Sequence, residues 1–478
     1  MELERLVAAL APEAVLGSPD PVEVRDLAYD ARAVTPGAAF FAVPGERADG
    51  HDYAVEAVEN GAVVLVVERA VEPDVPQLVV PSARAAMATA ADVFFGEPTR
   101  ELEVAGVTGT SGKTTTAFLL YSVLEAGGRN PGLLGTVESR VGGLVRPVVR
   151  TTPEAIDLQR TFRTMLDAGN RSVALEASSH AAVLHRLDRV RFDALVFTNL
   201  SQDHLDFHDS MEDYFAAKRK LFIGAAPPPA AVNVGDAWGR RLAEELADMN
   251  RAPLVTFGFA DDAEIRPERL DLGPSGASFS AGGIEIRTGL RGRFNVENVL
   301  GVIAASILLD VDEDEIAAGI AALPGVPGRF EAVDVGQPFT VVVDYAHKPD
   351  ALDNVLRTAR ELADGRVVVV FGAGGDRDRQ KRPLMGKVAR DLADLVIVTS
   401  DNPRSEDPLA IIQDVLQGTG TDVEIDPDRR SAIGRAIAVA EPGDVVVIAG
   451  KGHEQGQEVA GEKLPFDDRV VAREALQA

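Results

Sequence analysis

The segment Gly109-Thr-Ser-Gly-Lys-Thr-Thr115 lies between an apolar run at 102–108 and a helical pattern at 114–126 that stops at Gly127-Gly128. Strand, tight turn and helix in that order make a phosphate cradle. The glycines let the backbone aim N–H groups at phosphate oxygens, and the helix N-terminus adds its positive dipole. Gly109, Thr110, Ser111, Gly112 and Thr115 would line the cradle, Lys113 would reach the β- and γ-phosphates, and the Thr114 hydroxyl would face Mg²⁺. The chemistry this predicts is ATP binding. Val107 stands where the standard loop has its first glycine. A flexible glycine turn is the alternative reading, and the ordered strand, loop, Lys-Thr and helix weigh against it.

Two later segments offer the rest of a metal-phosphate site. An apolar run at 172–177 carries Glu176 near its end, followed by Ser178-Ser-His180. The run at 194–197 is followed by Thr198-Asn-Leu-Ser-Gln-Asp-His-Leu-Asp-Phe-His208. Magnesium takes hard oxygen ligands, which suits Glu176. His204 is a less usual magnesium ligand, and each histidine taken alone reads more readily as a solvated loop or cap residue. Position favours a site, because both segments follow strands, whose carboxyl ends bind ligands in open α/β sheets. Spacing alone gives no reason to choose Lys218, in Tyr214-Phe-Ala-Ala-Lys, over any surface lysine.

Four more apolar runs, 340–343, 366–371, 395–399 and 444–449, have the signature of buried parallel strands. They end in 344–347, 372–377, 401–404 and 450–454, so Arg377, Asp401, Asn402, Arg404, Gly450 and Glu454 face one crevice. Two arginines suit two carboxylates as planar bidentate donors, and Asn402 with Glu454 suits an ammonium group. A diamino-dicarboxylic acid meets both demands. Asp401-Asn-Pro-Arg404 also reads as a plain β-turn with a solvated arginine.

These segments need a scaffold. A chain of 478 residues supports about three domains at roughly 150 residues per core. The expected division is 1–98, 99–328 and 329–478. The first block alternates short apolar runs (38–43, 62–67, 77–80) with helical stretches such as 53–60, and Gly96-Glu-Pro-Thr reads as a linker. In the second, 263–290 is strand-like and glycine-punctuated, a helix follows Asn295, and Leu323-Pro-Gly-Val-Pro-Gly328 marks the next boundary. The third alternates strands and helices, a doubly wound pattern. The fold class is therefore α/β, with a central phosphate-loop ATPase-like domain and a C-terminal Rossmann-like one.

Hydrophobic residues make up 46% and charged residues 26%, an ordinary globular composition. No apolar run reaches the 18 or more residues of a membrane helix, and the start lacks a secretory layout. Zero cysteines exclude disulfides, thiolate zinc sites and a cysteine nucleophile, which suits the cytoplasm. The 48 basic and 75 acidic residues leave a net charge of -27, which disfavours nucleic acid and anionic membrane as partners. A polyanionic substrate must then be drawn in by local cations and helix ends.

Taken together, the motifs resemble those of the Mur ligases. They are G-T-S-G-K-T-T at 109–115, E-A-S-S-H at 176–180, T-N-L-S-Q-D-H-L-D-F-H at 198–208 and A-A-K at 216–218. D-Y-A-H-K-P-D-A-L at 344–352, G-G-D-R-D at 374–378, D-N-P-R at 401–404 and G-K-G-H-E at 450–454 extend the match, as does D-A-R-A-V-T-P-G at 30–37. Their order is similar to the branch that adds the third residue of the peptidoglycan stem peptide to UDP-N-acetylmuramoyl-L-alanyl-D-glutamate. The resemblance implies an N-terminal uridine-nucleotide domain, a central ATPase-like domain and a C-terminal domain for the incoming amino acid. It implies an acyl-phosphate route, with His204 on a second Mg²⁺ and Lys218 carbamylated by CO₂ to a carboxylate-like group that also faces metal. It assigns Asn295, Arg329 and Asp344 to the adenine and ribose side of ATP. Asp30 and Arg32 go to the uridine end, and Thr151, Thr152, Ser178 and Arg186 to the rest of the muramoyl dipeptide. Leu184 departs from the pattern, since many relatives carry a glutamine there.

Within the family, D-N-P-R resembles enzymes that use meso-2,6-diaminopimelate, whereas lysine-adding relatives usually lack the arginine. The expected partners are the UDP-muramoyl dipeptide and a diamino acid, with no nucleic acid, no stable membrane insertion and a monomeric enzyme. Ligation of L-lysine or L-ornithine is the nearest alternative. More remote are a folylpolyglutamate synthase-like ligase and a nucleotide-binding protein without catalysis.

Overall fold

The computed structural model describes residues 1–17, 22–45, 48–273, 275–420 and 423–478, which build three α/β units in chain order. In the first, Asp26–Ala28, Ala38–Phe41, Ala62–Val67 and Gln77–Val79 run parallel, and Ala14–Leu16 closes the edge antiparallel. The period of two in a strand sends Val64 and Val66 to one face, against Met87 and Ala91 of helix Ala83–Phe94. Leu65 and Val67 go to the other, against helix Ala54–Glu59. The stretch expected to be a linker is fastened down instead. It forms a short 3₁₀ turn, Pro98–Arg100, with Pro98 and Thr99 buried, and Arg191 reaches back to Glu97 at 3.0 Å. Tyr29 adds a 2.6 Å hydrogen bond to Asp157.

The central sheet has the order Leu254–Phe257, Ala230–Asn233, Ala194–Phe197, Glu103–Thr108, Ser172–Glu176, Pro131–Leu134, Ser139–Val141, Leu144–Arg146. The first six are parallel and the last two form an antiparallel hairpin. Its two middle strands and their neighbour therefore bring 108, 176 and 197 to one edge. Helix Lys113–Ala126 packs on one face with helix Arg293–Leu308, which is buried nearly all round because a three-stranded antiparallel sheet covers its far side. That helix was expected after Asn295 and begins earlier. Gly292 supplies its N-cap at φ +88, and a Cβ there would lie 2.5 Å from the Thr358 side chain.

The third unit is doubly wound. Its sheet runs Glu331–Ala332, Thr340–Asp344, Val445–Ala449, Val367–Phe371, Leu395–Val398, Glu424–Ile425, parallel except for the first strand. Val342, Val369 and Val447 meet helices Pro349–Leu362, Lys381–Leu392 and Pro408–Thr419. Val341, Val368 and Val446 meet Arg429–Ala438 and Asp468–Gln477. Below the strand ends Arg429 and Asp468, both wholly buried, pair at 2.7 Å. At the join to the central unit Gly328 adopts φ +66, and a Cβ there would fall 2.1 Å from the backbone nitrogen of His453. Among the described residues no helix is long and apolar enough to cross a membrane.

Candidate active site

The phosphate loop follows strand Glu103–Thr108, and the register explains its missing glycine. Val107 is still strand, paired with Glu176 on one side and Val196 on the other, so the turn begins only at Gly109. Gly109 has φ +147 and lies where a Cβ would be 1.9 Å from the Thr198 hydroxyl. The segment after strand Ala194–Phe197 clamps the loop. Ser111 N–H donates to Asn199 Oδ1 at 2.9 Å, the Thr198 hydroxyl donates to Ser111 O at 2.7 Å, and Ser201 N–H donates to Thr110 Oγ1 at 3.0 Å.

Two ammonium groups converge on this loop. Lys113 Nζ donates to Gly109 O at 3.0 Å and Thr110 O at 2.8 Å, and Lys218 Nζ donates to the same Gly109 O at 2.7 Å. Burial pushes Lys113 down to about 8, with Glu176 opposing. Burial, reinforced by the charge of Lys113, holds Lys218 well below the usual lysine range. Lys218 is not a surface lysine, being 1% exposed. Glu176 is equally buried, its carboxylate accepting from Thr136 N–H at 2.7 Å and the Thr136 hydroxyl at 3.0 Å. His204 takes a left-handed backbone at φ +53, with Nε2 2.9 Å from Asp203 and its ring edge-on to His180.

The third unit closes over this edge. Lys348 pairs with Asp203, the Ser201 hydroxyl donates to Asp350, and Arg329 Nη2 donates to Thr114 Oγ1 at 3.1 Å. Arg329 thereby reaches the phosphate loop, whereas the resemblance assigns it to the adenine and ribose side of ATP. Asp344 lines the cleft, but both its oxygens accept backbone N–H groups, from Phe330 at 2.7 Å and Ala346 at 2.8 Å. Burial pushes its carboxyl up to about 6, against the pull of Arg329. Asn295 lies behind the cleft wall, bonded to Arg291 O at 2.8 Å and to Asn298 at 3.1 Å. Asn298 is the residue at the wall, its Oδ1 lying 2.3 Å from where a Gly112 Cβ would be.

The cleft, of about 930 Å³, takes in the loop from Thr110 to Thr115, Glu176, His204 and Lys218. It extends past Thr151, Thr152, Ser178 and Arg186 on one side and to Tyr345 and Arg377 on the other. Arg186 is held by Glu154 at 2.7 Å and Thr152 O at 3.1 Å. Asp30 and Arg32 lie outside the cleft, as a mutual ion pair at 2.6 Å on the first unit, with Arg32 81% exposed.

At the strand ends of the third unit Asn402 Nδ2 donates to Glu454 at 2.9 Å. Arg404, at φ +52, donates to Gly375 O at 2.6 Å and Glu458 at 3.2 Å. Arg377 is exposed and makes no hydrogen bond among the described residues. Asp401 points inward, where a Gly450 Cβ would be 2.4 Å from its carboxylate. Burial raises its carboxyl, with Arg429 and Lys451 opposing. Sequence reasoning missed Asp203, Lys348 and Lys451 inside the quoted motifs and Thr136 outside them, because Lys348 meets Asp203, Lys451 meets Asn402 and Thr136 meets Glu176 across 145, 49 and 40 residues of chain.

Known proteins match along the whole length. Family models match at 23–95 (Mur ligase family, catalytic domain), 107–306 (Mur ligase middle domain) and 328–452 (Mur ligase, glutamate ligase domain). A Solibacter usitatus protein described as UDP-N-acetylmuramoyl-L-alanyl-D-glutamate–2,6-diaminopimelate ligase is 47% identical, covering 99% of this chain and 96% of its own. One from Streptomyces coelicolor with the same description is 46% identical over 98% and 96%. A solved structure of a ligase so named aligns with a TM-score of 0.69 at 32% identity, covering 96% of this chain and 95% of that one. A folylpolyglutamate synthase from Mycobacterium tuberculosis shares the fold at 20% identity and a TM-score of 0.64, over 77% of this chain and 92% of its own.

Proposed function

Since this chain belongs to the Mur ligase family, we propose that it joins meso-2,6-diaminopimelate to the D-glutamyl γ-carboxylate of UDP-N-acetylmuramoyl-L-alanyl-D-glutamate, at the expense of ATP. This is a step of peptidoglycan precursor synthesis, carried out in the cytoplasm by a monomer. One observation carries the reading above all. The phosphate loop, Tyr345 and Arg377 line one cleft, and the Tyr345 hydroxyl, pushed up first by burial and then by the charge of Glu454, ties that cleft to the strand end carrying Glu454.

The γ-phosphoryl group passes to a γ-carboxylate oxygen, releasing ADP and leaving an acyl phosphate. The amine lone pair then attacks the carbonyl carbon and loses a proton, and the tetrahedral intermediate expels phosphate. Catalysis of this kind rests on positioning and charge neutralisation. Lys113, the N–H groups of 109–115 and the start of helix Lys113–Ala126 hold the phosphates in line. Arg186, Thr152 and Ser178 hold the dipeptide so that its carboxylate meets them. The closing contacts from Lys348, Asp350 and Arg329 keep water from the acyl phosphate.

The Thr114 hydroxyl and the Glu176 carboxylate are hard oxygen donors and fit Mg²⁺, with His204 fitting a second ion. Bound there, Mg²⁺ supplies charge neutralisation at the phosphoryl oxygens. Lys218 fits as a carbamate, because burial and the charge of Lys113 favour its neutral amine, the form that adds CO₂.

ADP release with the UDP-dipeptide and a panel of amino acids tests the reading. Turnover with meso-diaminopimelate should exceed that with L-lysine or L-ornithine by at least about 10²-fold in kcat/KM, as expected when a polar group in the site loses its partner. Equal or faster turnover with L-lysine or L-ornithine would overturn it. Arg404→Lys loses the planar fork, so KM for diaminopimelate should rise about tenfold or more while KM for ATP stays within twofold. An unchanged KM would remove Arg404 from contact with the amino acid.

A further inference from the structure

Lys451 lies inside Gly450-Lys-Gly-His-Glu454, and its side chain is completely buried. Its ammonium occupies the place expected for a ligand's. Nζ lies 2.9 Å from Asn402 Oδ1, 3.0 Å from Glu454 Oε2 and 4.0 Å from Asp401 Oδ1. Asn402 Oδ1 also accepts the backbone N–H of Glu458 at 3.0 Å. An ammonium and a backbone N–H can only donate, so both demand the oxygen of the Asn402 amide and fix which way it faces. Its NH₂ is thereby turned toward Glu454, where one proton is used at 2.9 Å and the other meets no acceptor among the described residues. Glu454 spends Oε2 on Asn402 and Lys451, and Oε1 has no partner among the described residues.

We propose that Lys451 is a positioning residue that sets the donor–acceptor pattern of the amino-acid site. It holds Asn402 as a donor toward a carboxylate and leaves Glu454 one oxygen for an ammonium group. This revises the expectation that Asn402 and Glu454 together hold an ammonium. Arg404 Nη1, Arg377 Cγ and Asn402 O all lie within 4.0 Å of where a Gly374 Cβ would be, so these three residues gather at one place, and Glu454 Oε1 offers an acceptor beside Asn402. Donors with one acceptor beside them read a carboxylate next to an ammonium, the head of an amino acid. The plain ammonium end of L-lysine would leave the Asn402 amide donor, which is 8% exposed, unpaired, and a buried donor without an acceptor is costly. The inference rests on the diaminopimelate reading and deepens it.

The test uses the full-length enzyme. Lys451→Met keeps the stem and removes the charge, and KM for diaminopimelate should rise at least tenfold while KM for ATP and for the UDP-dipeptide stays within twofold. The diaminopimelate to L-lysine ratio of kcat/KM should fall by at least tenfold. In an Asn402→Ala background the same change should cost clearly less than it does alone, because Lys451 acts in part through Asn402 and only its Glu454 contact remains to be lost. Asn402→Asp, which retains size and the Lys451 contact but cannot donate, should lose diaminopimelate as severely, and it serves if Lys451→Met does not fold. A uniform rise in every KM, an additive double variant, or an Asn402→Asp enzyme with wild-type KM would overturn the proposal. The unsubstituted enzyme is run on the same panel. Preference there for L-lysine would sink the diaminopimelate reading itself, and the KM shift of Lys451→Met with that acid would still score Lys451.

Discussion

Replacement of Lys218 by alanine is expected to lower kcat about 10³-fold, the loss seen when one charge-stabilising group is taken from a phosphoryl-transfer or oxyanion site. The argument starts from burial. Lys218 is 1% exposed and donates to Gly109 O, which Lys113 also uses. Burial and the charge of Lys113 favour the neutral amine at Lys218, the form that adds CO₂, and nothing about the phosphates of ATP requires it to be an ammonium. As a carbamate, Lys218 becomes an anion beside the cations that hold the nucleotide. Lys218→Arg separates the roles, because a guanidinium keeps the charge and cannot add CO₂. It should fall as far as alanine. An arginine variant above a tenth of the original rate would show that positive charge is the function. Removal of bicarbonate should depress the unsubstituted enzyme and its return should restore it, with neither variant responding. Both rates are read as ADP release at saturating substrates.

How much of this was legible in the chain depends on range. The phosphate loop, Glu176 and the buried strands of the third unit are local signals, since glycine spacing, the Lys-Thr pair and continuous valine runs all act within about ten residues of themselves. Strands Pro131–Leu134 and Ala230–Asn233 are each four residues long, the first carrying Pro and Gly and the second Asn, so only pairing in the sheet makes them strands. The site's joints are longer in range still. Lys348 finds Asp203 across 145 residues and Arg329 finds Thr114 across 215. No periodicity reports such partners. The surprise at Asn402 has the same origin, because its amide is oriented by Lys451 and by the Glu458 backbone, 49 and 56 residues on. A motif says which side chains gather at a strand end. Which of their hydrogen-bonding groups remain for a ligand is settled by neighbours folded in from elsewhere.

Arg329→Ala should cost about 10³-fold in kcat, within the range for an arginine supplied to a phosphoryl-transfer site from outside the phosphate loop. Its guanidinium reaches Thr114 Oγ1 at 3.1 Å, stacks over Tyr345 at 4.7 Å, and keeps Nε buried without a partner among the described residues. Phosphate oxygens can satisfy that orphan donor. Binding of ADP should change by less than tenfold, since the charge that Arg329 meets develops during transfer, and KM for the UDP-dipeptide should not move. Arg329→Lys should recover little, having lost the fork. Single-turnover ADP formation separates this from a defect in product release, and a kcat within fivefold of the original would refute it. The position of Arg329 gives the prediction a structural consequence. It follows Gly328, whose carbonyl accepts from Tyr345 N–H at 2.9 Å and whose Cα packs against the loop holding Lys451 and Glu454. One turn thus carries a phosphate-end cation on one side and rests on the amino-acid site on the other. The share of charge neutralisation that Arg329 adds at the phosphates is therefore available only when the third unit is closed, which is also when the acyl phosphate is shielded from water and faces its amine.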